Sequence, residues 1–289
     1  MKTAIRYLLL LLTCGCFSCL HAQTDTTKNI VYATIPGKSL LLDLYMPAGK
    51  KEPYLIVWIH GGAWRSGSKK SPPTGMLPHE YALASINYRL SEEAIFPAPI
   101  HDIKAAIRFL RANAKKYGYR SDKIIIWGSS AGGHLAALAG LTNNNLELEG
   151  NIGAHTNESS SVQVILDFFG PSNFLTILNQ STPHGLGVRV PSLKLLLGKP
   201  VEEVPELARK ASPVYHVDSS DPPILIVHGD QDIQVPINQS LELLAACKKN
   251  KVAVQLEIIP GAGHGGAAYD DKELMNTVKQ FLESALKNK

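Results

Sequence analysis

Three short segments of this chain are apolar at every position: Leu55–Ile59, Ile124–Trp127 and Ile224–Val227. A strand with one face in water alternates apolar and polar residues, because successive side chains point to opposite faces. Short runs without alternation fit strands covered on both faces, as in parallel sheets flanked by helices. These segments fall within seven strand-like runs, Leu40–Met46, Tyr54–Ile59, Ala82–Asn87, Lys123–Trp127, Val162–Phe169, Ile224–His228 and Val252–Ile259, and a hairpin strand near Ile30–Ala33 brings the expected sheet to eight strands. Helical patterns fall at 100–116, 131–141, 238–249 and 270–287. In the first, Ile103, Ala106, Ile107 and Leu110 recur at three- and four-residue steps and make one apolar face. This alternation predicts an α/β fold: a doubly wound, mostly parallel sheet with helices on both faces.

Residues 170–223 break the rhythm with eight prolines and a short apolar patch at Leu193–Leu197. They read as a short cap or loop insertion over the C-terminal edge of the sheet, where ligands bind in such folds. The stretch is too short and too rich in proline for a core of its own, so residues 23–289 are expected to form a single domain. With 45% hydrophobic and 19% charged residues in 289, the chain has material for a sizeable core. Disordered, collagenous and polytopic membrane classes are excluded.

The N-terminus carries Lys2 and Arg6, an apolar stretch centred on Leu8–Leu12, then Ala22 followed by a polar run. This is the layout of a secretory signal peptide over residues 1–22, with export to the periplasm or medium after cleavage near Ala22. The apolar part, Tyr7–Leu20, has 14 residues, whereas crossing a bilayer takes about 20. Lipid anchoring through Cys16 or Cys19 is the rival reading, but neither has a Leu three residues ahead. Without Lys2 and Arg6 the chain keeps 27 basic and 25 acidic side chains, with no basic stripe, so no nucleic-acid partner is expected. Three of the four cysteines lie in the leader, which leaves Cys247 alone as a small buried hydrophobe and permits no internal disulfide. No histidine pair has the spacing of a metal-binding motif, and neither metal nor cofactor is expected.

The chemistry is concentrated in three loops. Gly128-Ser129-Ser130-Ala131-Gly132 follows the strand Lys123–Trp127 and opens an apolar helix. A serine on a tight strand-to-helix turn presents its hydroxyl at the edge of the sheet, and the helix N-terminus brings N–H groups for a developing oxyanion. Serine needs a base. His264, in the glycine-rich loop Pro260–Gly266 past the last strand, is placed for that work. Asp232, in the loop after Ile224–His228, is the candidate to orient the imidazole, with Asp230 as the competing acid. After Tyr54–Ile59, His60-Gly61-Gly62-Ala63-Trp64 supplies small residues whose backbone can approach a substrate carbonyl.

Together the two glycine motifs resemble the α/β-hydrolase superfamily on its lipase/esterase side, where the loop after this strand reads His-Gly-Gly-Gly; Ala63 replaces the third glycine and keeps its N–H. The order Ser130, Asp232, His264 is that family's triad order. By this resemblance, the N–H groups of Gly62, Ala63 and Ala131 form the oxyanion hole and His60 braces the loop. The likeness spans about residues 30–285, and within the superfamily it is nearest to secreted bacterial feruloyl and acetyl-xylan esterases. The implied activity is serine carboxylesterase, on short acyl esters or on feruloyl and acetyl groups of plant polysaccharides. The alternatives are an oligopeptidase-type serine peptidase, a general short-chain lipase or esterase, and a hydrolase fold used only for binding. Trp64 and Phe174, near Phe168 and Phe169, are candidate substrate contacts that either stack on a sugar or feruloyl ring or simply close the site.

Overall fold

The computed structural model describes residues 25–70, 72–73, 80–143 and 145–287; the leader expected over 1–22 lies outside them. The strands are β1 (Asp25–Ile35), β2 (Lys38–Met46), β3 (Tyr54–Ile59), β4 (Tyr81–Ile86), β5 (Arg120–Ser129), β6 (Val164–Phe168), β7 (Ile224–Gly229) and β8 (Val254–Ile259). They form one sheet in the order β1-β2-β4-β3-β5-β6-β7-β8. Pairing is antiparallel at β1–β2 and β2–β4 and parallel everywhere else. The chain leaves β3 toward β4 on one side and leaves β5 toward β6 on the other. That reversal opens a crevice at the C-terminal ends of β3 and β5, where open α/β sheets bind their ligands.

The unbroken apolar runs are explained by burial on both faces. Leu55, Val57, Ile59, Ile124, Ile126, Ile224 and Ile226 belong to one core cluster. Their sequence neighbours Ile56, Trp58, Ile125, Trp127, Leu225 and Val227 belong to a second, on the other side of the sheet. The first face is covered by α1 (Ala98–Ala112), α3 (Ala131–Gly140) and α8 (Asn238–Lys249), and the second by α9 (Lys272–Lys287). The helix expected over 100–116 is broken at Asn113, whose side chain donates to Phe109 O at 2.9 Å, and a short α2 (Ala114–Tyr117) follows. Between α3 and β6 lies α4 (Leu146–Glu149). Cys247 is buried, and burial pushes its thiol up to about 12.

The proline-rich region is more ordered than its composition suggests. It holds α5 (Ile177–Gln180), α6 (Pro183–Leu197) and α7 (Pro205–Lys210). Thr182 caps α6 by accepting from Gly185 N at 3.1 Å, Pro183 takes the first helical position, and Gly198 ends the helix at φ 78°. Pro191 lies inside this helix. Leu193, Leu196 and Leu197 sink into the first core, and Thr182 Oγ1 donates to Ile233 O at 2.9 Å. These contacts hold α6 beside the loop after β7.

Two aromatic expectations are corrected here. Trp64 and Phe174 are fully buried beneath the crevice and are not among the residues that line the cleft around Ser130. Their rings pack edge-on at 5.4 Å, and both contact His134. Trp64 Nε1 donates to His134 Nδ1 at 3.0 Å, and His134 Nε2–H reaches Ala211 O at 2.7 Å. An imidazole that accepts on one nitrogen and donates from the other must be neutral, and burial lowers its pKa to about 4.

An unfolded histidine titrates near 6.5, so the stability carried by neutral His134 is complete above that pH and is lost as pH falls toward 4. Urea midpoints measured across this window should fall in the wild type, with His134 contributing roughly 3 kcal/mol at most, and that part should vanish in His134→Gln. A second test concerns the loop after β3. Buried Lys69 donates from Nζ to Asp43 Oδ1 at 2.6 Å and to Asn29 Oδ1 at 2.9 Å, while its N–H meets Asn87 Oδ1 at 2.7 Å. Asp43→Ala strands the ammonium and should cost about 3–5 kcal/mol by chemical denaturation, whereas Asp43→Leu with Lys69→Met should recover most of it.

Candidate active site

Ser130 is the single residue between β5 and α3. It takes φ 55° and ψ −122°, a conformation that costs a non-glycine residue about 1–3 kcal/mol. The turn closes only around glycine. A Cβ on Gly128 would stand 2.1 Å from Gly132 O, and one on Gly132 would stand 2.0 Å from Ile59 O. Ser130 N donates to Phe168 O at 2.9 Å, which ties the turn to β6.

The structure brings the three residues picked from sequence into one hydrogen-bonded line. Ser130 Oγ lies 2.8 Å from His264 Nε2, and His264 Nδ1 lies 2.6 Å from Asp232 Oδ2. They arrive from the C-terminal ends of β5, β8 and β7. Asp232 Oδ1 accepts from Gln234 N at 2.8 Å and Val235 N at 2.9 Å. Burial opposes ionisation of Asp232, but hydrogen bonds from His228 and His264 outweigh it and hold the carboxyl well below its usual range. An ionised Asp232 keeps the His264 proton on Nδ1, so Nε2 is left to accept from the Ser130 hydroxyl.

Asp230, the competing acid, has another occupation: its Oδ1 accepts from Gly261 N at 2.7 Å and braces the histidine loop. Tyr269 joins the two loops, accepting from Gly229 N at 2.8 Å and donating to Gly263 O at 3.1 Å. Phe169, at φ 44°, places its ring edge-on to His264 at 4.9 Å.

On the other side, the loop after β3 is bent by Gly62 (φ 109°), Ala63 (φ 51°) and Trp64 (φ 59°). Gly62 O accepts from Arg65 N at 3.1 Å and Ser66 N at 3.0 Å. Among the described residues, the N–H groups of Gly62, Ala63 and Ala131 have no protein acceptor. His60 stacks on Tyr88 at 4.4 Å, and Tyr88 donates its hydroxyl to His60 O at 3.1 Å.

These loops enclose a cleft of about 380 Å³ whose walls include Gly61, Gly62, Ala63, Ser130 and His264. Phe169, one of the aromatics expected near the site loops, lines it, and so do four residues that the sequence did not point to: Arg65, Val188, Arg189 and Gln234. Val188 and Arg189 stand on α6, which the prolines disguised. The available signal was Thr182-Pro183 with Gly198, a cap, a first-turn proline and a terminating glycine fifteen residues on.

A model of the BD-FAE family matches residues 42–247. Esterase LipC of Mycobacterium tuberculosis is 32% identical over 261 residues, covering 86% of this chain and 62% of LipC, so the chain spans about three fifths of that relative. Among solved structures, a truncated carbohydrate esterase from gut microbiota is 34% identical with a TM-score of 0.79, over 91% of this chain and 96% of that one. The acetyl ester-xyloside bifunctional hydrolase of Caldicellulosiruptor lactoaceticus is 27% identical with a TM-score of 0.71, over 87% of this chain and 90% of its own. With a family match that runs from β2 into α8, on this sheet and around this cleft, the chain belongs to the BD-FAE family and has the α/β-hydrolase fold.

Proposed function

We propose that this protein is an exported serine carboxylesterase that removes short acyl or feruloyl groups from plant polysaccharides. The observation that carries the reading is the line Ser130–His264–Asp232, held at 2.8 Å and 2.6 Å at the edge of a cleft that also exposes unpaired backbone donors. In the first step His264 Nε2 takes the hydroxyl proton as Ser130 Oγ bonds to the ester carbonyl carbon. The carbonyl oxygen becomes an oxyanion, and the N–H groups of Gly62, Ala63 and Ala131 stabilise it. His264 returns the proton to the leaving alkoxide, the carbon–oxygen bond breaks, and the alcohol departs, leaving an acyl-Ser130. Water then gives a proton to His264 and its oxygen to the acyl carbon; collapse releases the acid and restores Ser130. Asp232 stabilises the transient imidazolium without taking its proton.

The carbohydrate side of the proposal is supported by the neighbours, one named a carbohydrate esterase and one an acetyl ester-xyloside hydrolase. Export is supported by the Lys2, Arg6 and Leu8–Leu12 leader pattern. Among the described residues, no helix is long and apolar enough to cross a membrane. N-terminal sequencing of the exported protein should start at Gln23; a start at Cys16 or Cys19 with bound lipid would replace soluble export by anchoring.

Activity is tested with aryl esters of increasing acyl length, methyl ferulate and acetylated xylan. The wild type should release acetate or ferulate, and Ser130→Ala should release almost none. Asp232→Asn should still fold and lose roughly 10⁴-fold in kcat, because the wrong imidazole tautomer then faces the serine. A folded wild type that leaves every ester intact would sink the esterase reading.

A further inference from the structure

One residue of the cleft has no part in acyl transfer as described. Arg189, on α6, is 1% exposed, yet it lines the same cleft as Ser130 and His264. Among the described residues, its Nε and Nη1 have no hydrogen-bond partner. Trp64 covers the guanidinium at 5.8 Å but offers no acceptor for an in-plane N–H. Burial lowers the Arg189 pKa to about 10, still charged at neutral pH. A buried cation with idle donors is costly, and proteins keep such an arrangement where something else completes it.

The surrounding charges say what that something is. Arg65 stands at the same cleft, and no Asp or Glu is among the lining residues. Asp232 acts on Arg189 from a distance, but both its oxygens are engaged by His264, Gln234 and Val235. Among the described lining residues, the cleft therefore presents the buried cation Arg189 and the exposed cation Arg65, and no carboxylate beside the nucleophile. A planar guanidinium matches a carboxylate with two donors at once, a fit no hydroxyl or acyl chain reproduces.

We propose that Arg189 anchors a carboxylate carried by the ester substrate, so that this enzyme prefers acidic esters over neutral ones. The proposal rests on the esterase reading above and names the class of substrate for that same site. The carboxylate can sit on the alcohol half, as a uronate on the esterified saccharide, or on the acyl half, as the free end of a dicarboxylic monoester. Both present the same group to Arg189.

Two matched pairs separate these sources. For the alcohol half, an acetylated xylo-oligosaccharide bearing a glucuronate side group is compared with its carboxyl-reduced form. For the acyl half, 4-nitrophenyl hydrogen succinate is compared with 4-nitrophenyl pentanoate. In the wild type at least one acidic member should be favoured about tenfold or more in kcat/KM. Arg189→Met should abolish that preference and Arg189→Lys should keep part of it. Equal rates within both pairs, or a preference that survives Arg189→Met, would overturn the proposal.

Because Arg189 is buried, its variants can fail to fold, so binding provides a second arm. Calorimetric titration of the Ser130→Ala protein should show the acidic member of a pair binding about tenfold tighter, with the difference shrinking as salt is raised. Equal binding of both members overturns the proposal by itself. If the wild type cleaves no ester at all, the esterase reading fails, and the same titration still decides whether the cleft holds a carboxylate.

Discussion

The site depends on one close approach of backbone to backbone. The first turn of α3 lies so near the end of β3 that a methyl group on Gly132 would stand 2.0 Å from Ile59 O, and one on Gly61 would stand 2.9 Å from Ser129 O. That contact sets the serine turn beside the loop that follows β3, and each therefore fixes the other. Ser130, Ala63, Trp64 and Phe169 all hold positive φ within this small region. Each is a strained residue, and strain persists only where the surroundings over-determine it. Here the surroundings are two cores on opposite faces of the sheet, which clamp β3, β5 and β6 from both sides.

Charge is arranged with the same economy of positions. Beneath the cleft, His134 is held neutral by its two hydrogen bonds, and burial raises Asp167, at the end of β6, to about 7. Asp167 Oδ1 accepts from Gly170 N at 3.0 Å, while Oδ2 has no partner among the described residues. Against this weakly charged floor, Asp232 is the carboxylate kept ionised, because hydrogen bonds from His264 and from the loop backbone converge on it, with His228 Nε2 3.4 Å from its Oδ2. The low dielectric of the floor strengthens the single interaction that fixes the His264 tautomer. Arg189 lies in the same buried layer, and its cost remains unrelieved inside the protein.

Much of this was legible before any coordinates. Parallel strands buried on both faces lose their alternation, so β3, β5 and β7 could be read from their unbroken apolar runs. Ser130, Asp232 and His264 were legible because each follows a readable strand, in loops whose glycines mark tight turns and close backbone approaches. Trp64 and Phe174 were misplaced because an aromatic residue near a site loop reads the same whether its ring points to the cleft or to the core. Helix α6 was hidden by Pro183, Pro191 and two glycines, which lower local helix propensity; its seat on Leu193, Leu196 and Leu197 overrides that propensity.

The sequence by itself determined the layered architecture, the strand carrying each functional loop, and the residue types at the nucleophile turn. Those follow from periodicity and from steric limits that act over a few neighbouring residues. Only the tertiary structure decided that Asp232, and not Asp230, faces His264, that Trp64 turns inward onto His134, and that Arg189 lines the cleft while its buried Nε and Nη1 stay unpaired. Each of these depends on which segments far apart in the chain are pressed together, and side-chain direction and hydrogen-bond partners are settled only once both faces of the sheet have closed.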